Sequence, residues 1–166
     1  AALNETVPQA LARLEPEARP IVVHQAGERQ IEALRAAYAR VQVEGELRPF
    51  IDDMAAAYAE ADLVICRAGA LTVAELAAAG VASLLVPFPH AVDDHQTGNA
   101  RFLADRGGAY LLPQTELSPD RLAGILSSLD RGRLLNMAEH ARALAKPLAA
   151  VAVAHVCAEL AGGDAK

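Results

Sequence analysis

Asp62-Leu63-Val64-Ile65-Cys66-Arg67-Ala68-Gly69-Ala70-Leu71-Thr72-Val73-Ala74-Glu75 changes character at its middle. Leu63 to Cys66 is an unbroken apolar run, the pattern of a strand covered on both faces in a parallel sheet. From Leu71 to Ala79 the residues suit a helix, and Gly69 sits at the change, where the backbone has to turn tightly. A strand that passes through a short turn into a helix is one βα unit. The alternation recurs along the chain. Strands are predicted at Ile21 to His24, Val41 to Glu44, Ser83 to Val86 and Ala109 to Leu112. Helices are predicted at Glu28 to Arg40, with Ile31, Leu34 and Tyr38 on one face, at Asp53 to Ala61 and at Gln96 to Arg106. The fold class that follows is α/β, a doubly wound parallel sheet.

The flanks of this pattern are helical. Ser118, Pro119 and Asp120 spell an N-cap, a first-turn proline and a dipole-matched acid, opening a helix through Leu129. Further helices are predicted from about Arg131 to Ala145, stopped by Pro147, and from about Ala149 to Leu160. At the front, Leu3, Val7, Leu11 and Leu14 form an amphipathic stripe, with Pro8 acceptable only in the first turn. That helix has no strand before it and the chain does not begin with Met, so the expectation is a piece of something longer whose first strand and ligand loop have been removed. The expected organisation is one domain, 1–166, with C-terminal helices from about residue 118.

Composition narrows the partners. The 166 residues are 53% hydrophobic and carry 15 Lys plus Arg against 21 Asp plus Glu, a formal charge of -6. An acidic chain without a basic cluster has no electrostatic footprint for nucleic acid. No run approaches a membrane span and no signal peptide is visible, so a soluble cytoplasmic chain is expected. Cys66 and Cys157 form no CxxC pair, and a thiol in an apolar strand stays protonated and inert.

Three constellations can carry chemistry. In the first, Arg67 to Glu75, the N–H groups of Ala70, Leu71 and Thr72 can face a phosphate, and Glu75 can accept two bonds from a diol such as a ribose. The same residues, Thr72-x-x-Glu75, also spell a capping box, which on spacing alone is the commoner arrangement. The second is His90, Asp93, Asp94, His95, Gln96 and Asn99. It is the best metal candidate in the chain, yet it lacks a recognisable ligand spacing, and a polar loop of this kind suits hydroxyl recognition or a solvated connection capped by Asp94 equally well. The third is Phe50, Ile51 and Met54 beside Pro49, an apolar ledge for a flat base or a staple ahead of an Asp-capped helix. His24 and Gln25 end a strand and can line the same cleft, although a strand-terminal His is more often structural. GxSxG, GxGxxG and GxxxxGK[ST] are all missing.

Arg67 to Glu75 (R-A-G-A-L-T-V-A-E), Ala77 to Pro89 (A-A-A-G-V-A-S-L-L-V-P-F-P), Asp93 to Ala100 (D-D-H-Q-T-G-N-A) and Phe50 to Arg67 (F-I-D-D-M-A-A-A-Y-A-x-A-D-L-V-I-C-R) together resemble the MurG family of peptidoglycan glycosyltransferases from Leu3 to about Leu160. The resemblance implies a Rossmann-like domain, the C-terminal half of a GT-B enzyme. Such an enzyme moves N-acetylglucosamine from UDP-N-acetylglucosamine to a lipid-linked muramyl-pentapeptide at the cytoplasmic face of the inner membrane. It assigns Ile51 to the uracil pocket, Ala70, Leu71, Thr72, Val73, Ala74 and Glu75 to the diphosphate and ribose, and Gln96 to the sugar hydroxyls. Phe50, Met54, Arg67, His95 and Asn99 would stand beside them. No metal and no cofactor are implied. Ala68 stands where many relatives have Ser, and Gly98 where the family is bulkier. The family's G-G-S-x-G-A-R loop and its acceptor domain, with the general base and the lipid surface, have no counterpart here, so the chain alone is expected to be inactive. A GT-B UDP-N-acetylglucosamine 2-epimerase and a non-catalytic interaction domain remain the alternatives, with a metal hydrolase remote.

Overall fold

The computed structural model describes residues 2–89 and 94–162. Five strands, β1 (Val23–Gln25), β2 (Glu46–Arg48), β3 (Leu63–Cys66), β4 (Ala82–Leu85) and β5 (Ala109–Leu111), alternate with helices α2 (Ile31–Val41), α3 (Met54–Glu60), α4 (Ala70–Ala79) and α5 (His95–Ala104). Helix α1 (Ala2–Leu11) precedes them, and α6 (Pro119–Ser128), α7 (Arg131–Ala143) and α8 (Ala149–Gly162) follow. Every strand pairing is parallel, as the apolar runs predict. The ladders nevertheless form two sheets, β1-β2 and β3-β4-β5.

Helices cover both faces, and β4 shows why. Leu84 and Val86 point into a core built with Leu11 of α1, Leu34 and Tyr38 of α2 and Leu122 of α6. Leu85, one residue away, points into the opposite core with Val73 and Leu76 of α4, Leu103 of α5 and Ala141 of α7. Successive side chains on a strand take opposite faces, so a run that is apolar throughout needs a cover on each side. In β3, Leu63 and Ile65 serve the first core while Val64 and Cys66 serve the second. Burial pushes the Cys66 thiol up to about 12, which keeps it protonated.

Three expectations need correction. The apolar run at Val41 is not a strand: α2 continues through Val41, and Gln42 takes a left-handed backbone (φ 54°). Val43 then donates its N–H back to the Tyr38 carbonyl (3.3 Å) and buries its side chain, a Schellman-type stop with its hydrophobic contact. Strand β2 begins only at Glu46. Pro8 lies well inside α1 rather than in its first turn, and it is among the most deeply buried side chains. Its burial, in a helix that packs against both α2 and α6, offsets a lost helical hydrogen bond. Finally, Gly69, not Thr72, occupies the N-cap of α4, so the capping box does not form.

The predicted ends of the helical tail hold. Ser118 accepts a hydrogen bond from the Arg121 N–H (3.1 Å) with Pro119 in the first turn of α6. Helix α7 packs against α4 and β4, and Arg142 donates to the Ala78 carbonyl at the end of α4. A cation at a helix C-terminus satisfies an orphan carbonyl and complements the dipole.

Candidate functional site

Parallel strands put the start of every following helix at the same edge of the fold. Helices α3, α4 and α5 lie side by side, α3 against α4 and α4 against α5, so their N-terminal ends share that edge. The three sequence constellations sit at these three helix starts, at residues 50–54, 67–75 and 94–99.

At the middle start, Gly69 enters the helix with φ -63° and ψ 146° and offers no capping side chain. The N–H of Val73 bonds the Gly69 carbonyl (2.9 Å), while those of Ala70, Leu71 and Thr72 precede the first helical acceptor. Val73 itself faces the core, whereas Ala70, Leu71, Ala74 and Glu75 are exposed. The Glu75 carboxylate accepts a hydrogen bond from the Tyr58 hydroxyl of α3 (3.1 Å). Burial, reinforced by that bond, pushes the Tyr58 phenol up to about 12, so it remains a donor at any ordinary pH.

Arg67 directly follows β3 and reaches across the strand ends. One guanidinium nitrogen donates to the carbonyls of Val86 and Pro87 (both 3.1 Å), the other to Gln114 Oε1 (2.6 Å), and the group stacks over Phe88 (5.5 Å to the ring centre). Half-burial lowers its pKa, though its charge is retained. These bonds make Arg67 a clamp on the segment after β4 rather than a free cation at the edge. The clamped segment in turn fixes Gln96: the Phe88 N–H donates to Gln96 Oε1 (2.9 Å). An N–H can only donate, so the carboxamide oxygen faces Phe88 and its amino group is directed away from it. Asn99, one turn further along α5, donates to the Ala68 carbonyl (3.0 Å) and ties α5 to the turn before α4.

At the third start, Asp53 caps α3 by accepting from the Ala56 N–H (2.9 Å). Phe50 is 63% exposed, Ile51 is half-exposed, and Met54 packs against the core shared with Tyr58. Phe50 is thus uncovered while Met54 is seated in the fold.

Of the loop after β4, His90 and Asp93 lie outside the described residues. Asp94 occupies the cap position of α5 in a left-handed conformation, and its carboxylate accepts from the Thr97 hydroxyl (2.7 Å) rather than from a backbone N–H. His95 is exposed at the first position of α5. Among the described residues no group of three or more His, Cys, Asp or Glu side chains could hold a metal ion.

His24 is spent inside the fold. Its ring nitrogens meet the Tyr38 hydroxyl (3.0 Å) and Asn4 Oδ1 (3.2 Å), joining β1 to α2 and α1, and burial lowers its pKa. Sequence reasoning missed Tyr58, Phe88 and Gln114 as partners of the site. A single tyrosine in the otherwise alanine-built helix Met54–Glu60 was the available signal for Tyr58. Two shallow hollows, of about 240 and 530 Å³, lie elsewhere, beside α1 and α2 and beside the α6–α7 junction. Neither contains any of the residues above.

The comparisons with known proteins agree with the motifs. Residues 1–155 match the model of the glycosyltransferase family 28 C-terminal domain. A protein of Azoarcus sp. (strain BH72), named "UDP-N-acetylglucosamine--N-acetylmuramyl-(pentapeptide) pyrophosphoryl-undecaprenol N-acetylglucosamine transferase", is 78% identical over 98% of this chain. One of the same name from Aromatoleum aromaticum is 74% identical over the whole chain. The chain spans about half the length of these relatives, 46% in each. The crystal structure of Acinetobacter baumannii MurG superimposes with a TM-score of 0.86 at 48% identity, over 93% of this chain and 47% of that one. The glycosyltransferase VinC, at 20% identity and a TM-score of 0.59, covers 86% of this chain and 34% of its own, and shares the fold alone. Motifs, architecture and relatives coincide, and the chain belongs to the glycosyltransferase family 28 C-terminal domain family.

Proposed function

We propose that this chain is the donor-binding half of an inverting transferase that takes N-acetylglucosamine from UDP-N-acetylglucosamine and delivers it to a lipid-linked muramyl-pentapeptide acceptor. The observation that supports it most is the shared edge at which the starts of α3, α4 and α5 present an apolar ledge, uncapped N–H groups, a carboxylate and a carboxamide. That series suits, in order, a base, a diphosphate, a ribose and a sugar. The names of the relatives supply the identity of the donor and of the acceptor.

In this reading uracil lies against Ile51, with Phe50 and Met54 beside it. The N–H groups of Ala70 to Thr72 face the diphosphate, where the helix dipole also favours negative charge. Glu75 accepts from the ribose hydroxyls, and the Gln96 amino group donates to a sugar oxygen, with His95 and Asn99 adjacent. Arg67 positions Phe88 and Gln96 through the bonds already described. Transfer with inversion needs a base to deprotonate the acceptor hydroxyl and a site that stabilises the charge left on the departing UDP. The chain contributes to the second requirement, and the base and the acceptor-binding surface are assigned outside residues 1–166. Among the described residues no helix is long and apolar enough to cross a membrane. Contact with the cytoplasmic face of the membrane belongs, in this reading, with the acceptor-binding surface in the rest of the enzyme.

Titration calorimetry of the full-length gene product with UDP-N-acetylglucosamine tests the reading. Glu75→Ala and Gln96→Ala should each weaken binding by about tenfold, the scale of a lost charged or polar hydrogen bond, with little change in melting temperature. Unchanged affinity in both variants would sink the assignment.

A further inference from the structure

We propose that Tyr58 is a positioning residue for nucleotide recognition: its hydroxyl holds the Glu75 carboxylate in the orientation that receives the vicinal diol of a ribose. The inference rests on the assignment of Glu75 to the ribose made above.

Glu75 is an exposed residue of α4. A free glutamate on a helix surface turns about three side-chain bonds, and a ligand that uses it has to bring that motion to rest. Here one oxygen, Oε2, is already engaged by the Tyr58 hydroxyl at 3.1 Å. Tyr58 cannot follow a wandering carboxylate, because the residue is only 9% exposed and packed in the core with Val73 and Leu76 of α4. The helix that carries it is fixed at its start by the Asp53 cap. The phenol is a donor toward a carboxylate that only accepts, so the bond has one possible sense. Its high pKa keeps that donor protonated.

The arithmetic of lone pairs suits a diol. A carboxylate offers about four acceptor positions, and Tyr58 takes one on Oε2. Oε1 and the remaining position on Oε2 stay available for two neighbouring hydroxyls. The arrangement also links two parts of the site. Tyr58 lies in the helix whose start carries Ile51 and Met54, so the element that would bear the base also sets the acceptor for the ribose of the same nucleoside.

Calorimetry of the full-length gene product with UDP and with 2′,3′-dideoxyuridine diphosphate, which lacks the diol, tests the proposal. Four proteins are compared: wild type, Tyr58→Phe, Glu75→Gln and the double variant. Glu75→Gln should weaken UDP by about tenfold and the dideoxy nucleotide by less than about twofold. Tyr58→Phe keeps the buried ring and should weaken UDP by about three- to tenfold, again sparing the dideoxy nucleotide. In the Glu75→Gln background it should add less than about twofold, because the two residues act as one unit.

Equal losses on both nucleotides in Tyr58→Phe would mean a structural role, and no loss on either would mean that the bond does not matter; both overturn the proposal while leaving Glu75 in place. Full additivity in the double variant overturns it as well. If Glu75→Gln itself fails to separate the two nucleotides, the ribose assignment falls and Tyr58 falls with it.

Discussion

The two sheets of this domain are built from the same βα units and use them differently. In the three-stranded sheet, β4 is buried along its whole length and has a core on each face. In the two-stranded sheet only the middle residue of each strand is half-buried, Val23 is 48% exposed and the preceding Ile21 is fully exposed. Their polar side chains differ in the same way. His24 in β1 turns inward to Tyr38 and Asn4 and is consumed in joining three elements. Arg67, Gln96 and Asn99 around β3 and β4 tie loops to strand ends, and together with Glu75 they cluster at the edge where the helices begin. A well-packed half can hold polar groups at fixed positions, because the backbone beneath them does not move.

The contrast can be broken by experiment, most sharply in the core. Leu85→Ala should lower unfolding free energy in urea by about 2–5 kcal/mol, the range for a fully buried leucine, whereas Val23→Ala should cost less than about 1 kcal/mol. Similar losses would erase the distinction between the sheets. Next in size, His24→Ala removes the ring that meets the Tyr38 hydroxyl and the Asn4 carboxamide oxygen and should cost about 1–3 kcal/mol of stability. Affinity for UDP-N-acetylglucosamine should not change, and a binding loss matching that of Gln96→Ala would place His24 in the site after all. Arg67→Met should do the reverse, weakening the sugar nucleotide by about tenfold while shifting the melting temperature by only a few degrees.

The smallest effects are in pH dependence, and the halves separate there too. The half-buried His24 resists protonation, so below pH 6.5 the unfolded chain takes up a proton that the folded one refuses, and stability falls as pH drops. His24→Gln should flatten that acid limb. On the alkaline side, Tyr38 and Tyr58 are both raised from 10.0 to about 12. Stability from these groups is fully present below pH 10 and is lost as pH rises through about 12, and Tyr58→Phe should reduce the slope in that window.

Legibility in the sequence followed physical range. The βα unit from Leu63 to Ala79 was readable because a two-sided strand needs consecutive apolar residues and the glycine turn is local. The Ser118 cap was readable for the same reason. The strand expected at Val41 failed because Val43 is apolar in order to close a helix end, and a short apolar run does not reveal which purpose it serves. Thr72-x-x-Glu75 had the spacing of a capping box, but the helix is capped three residues earlier, at Gly69, and Tyr58 engages the carboxylate instead. Site positions were legible as strand ends. Their partners were not, since Arg67 with Gln114 and Asn99 with Ala68 are 47 and 31 residues apart and leave no periodic trace.

The bond from Asn99 to the Ala68 carbonyl joins the turn that precedes α4 to the second turn of α5. Gln96, one turn before Asn99, and Gly69, next to Ala68, are thereby held in a fixed relation to each other. In the proposed reading that spacing is a built-in length, against which the sugar and the diphosphate of the donor would be matched as a whole rather than gripped piece by piece.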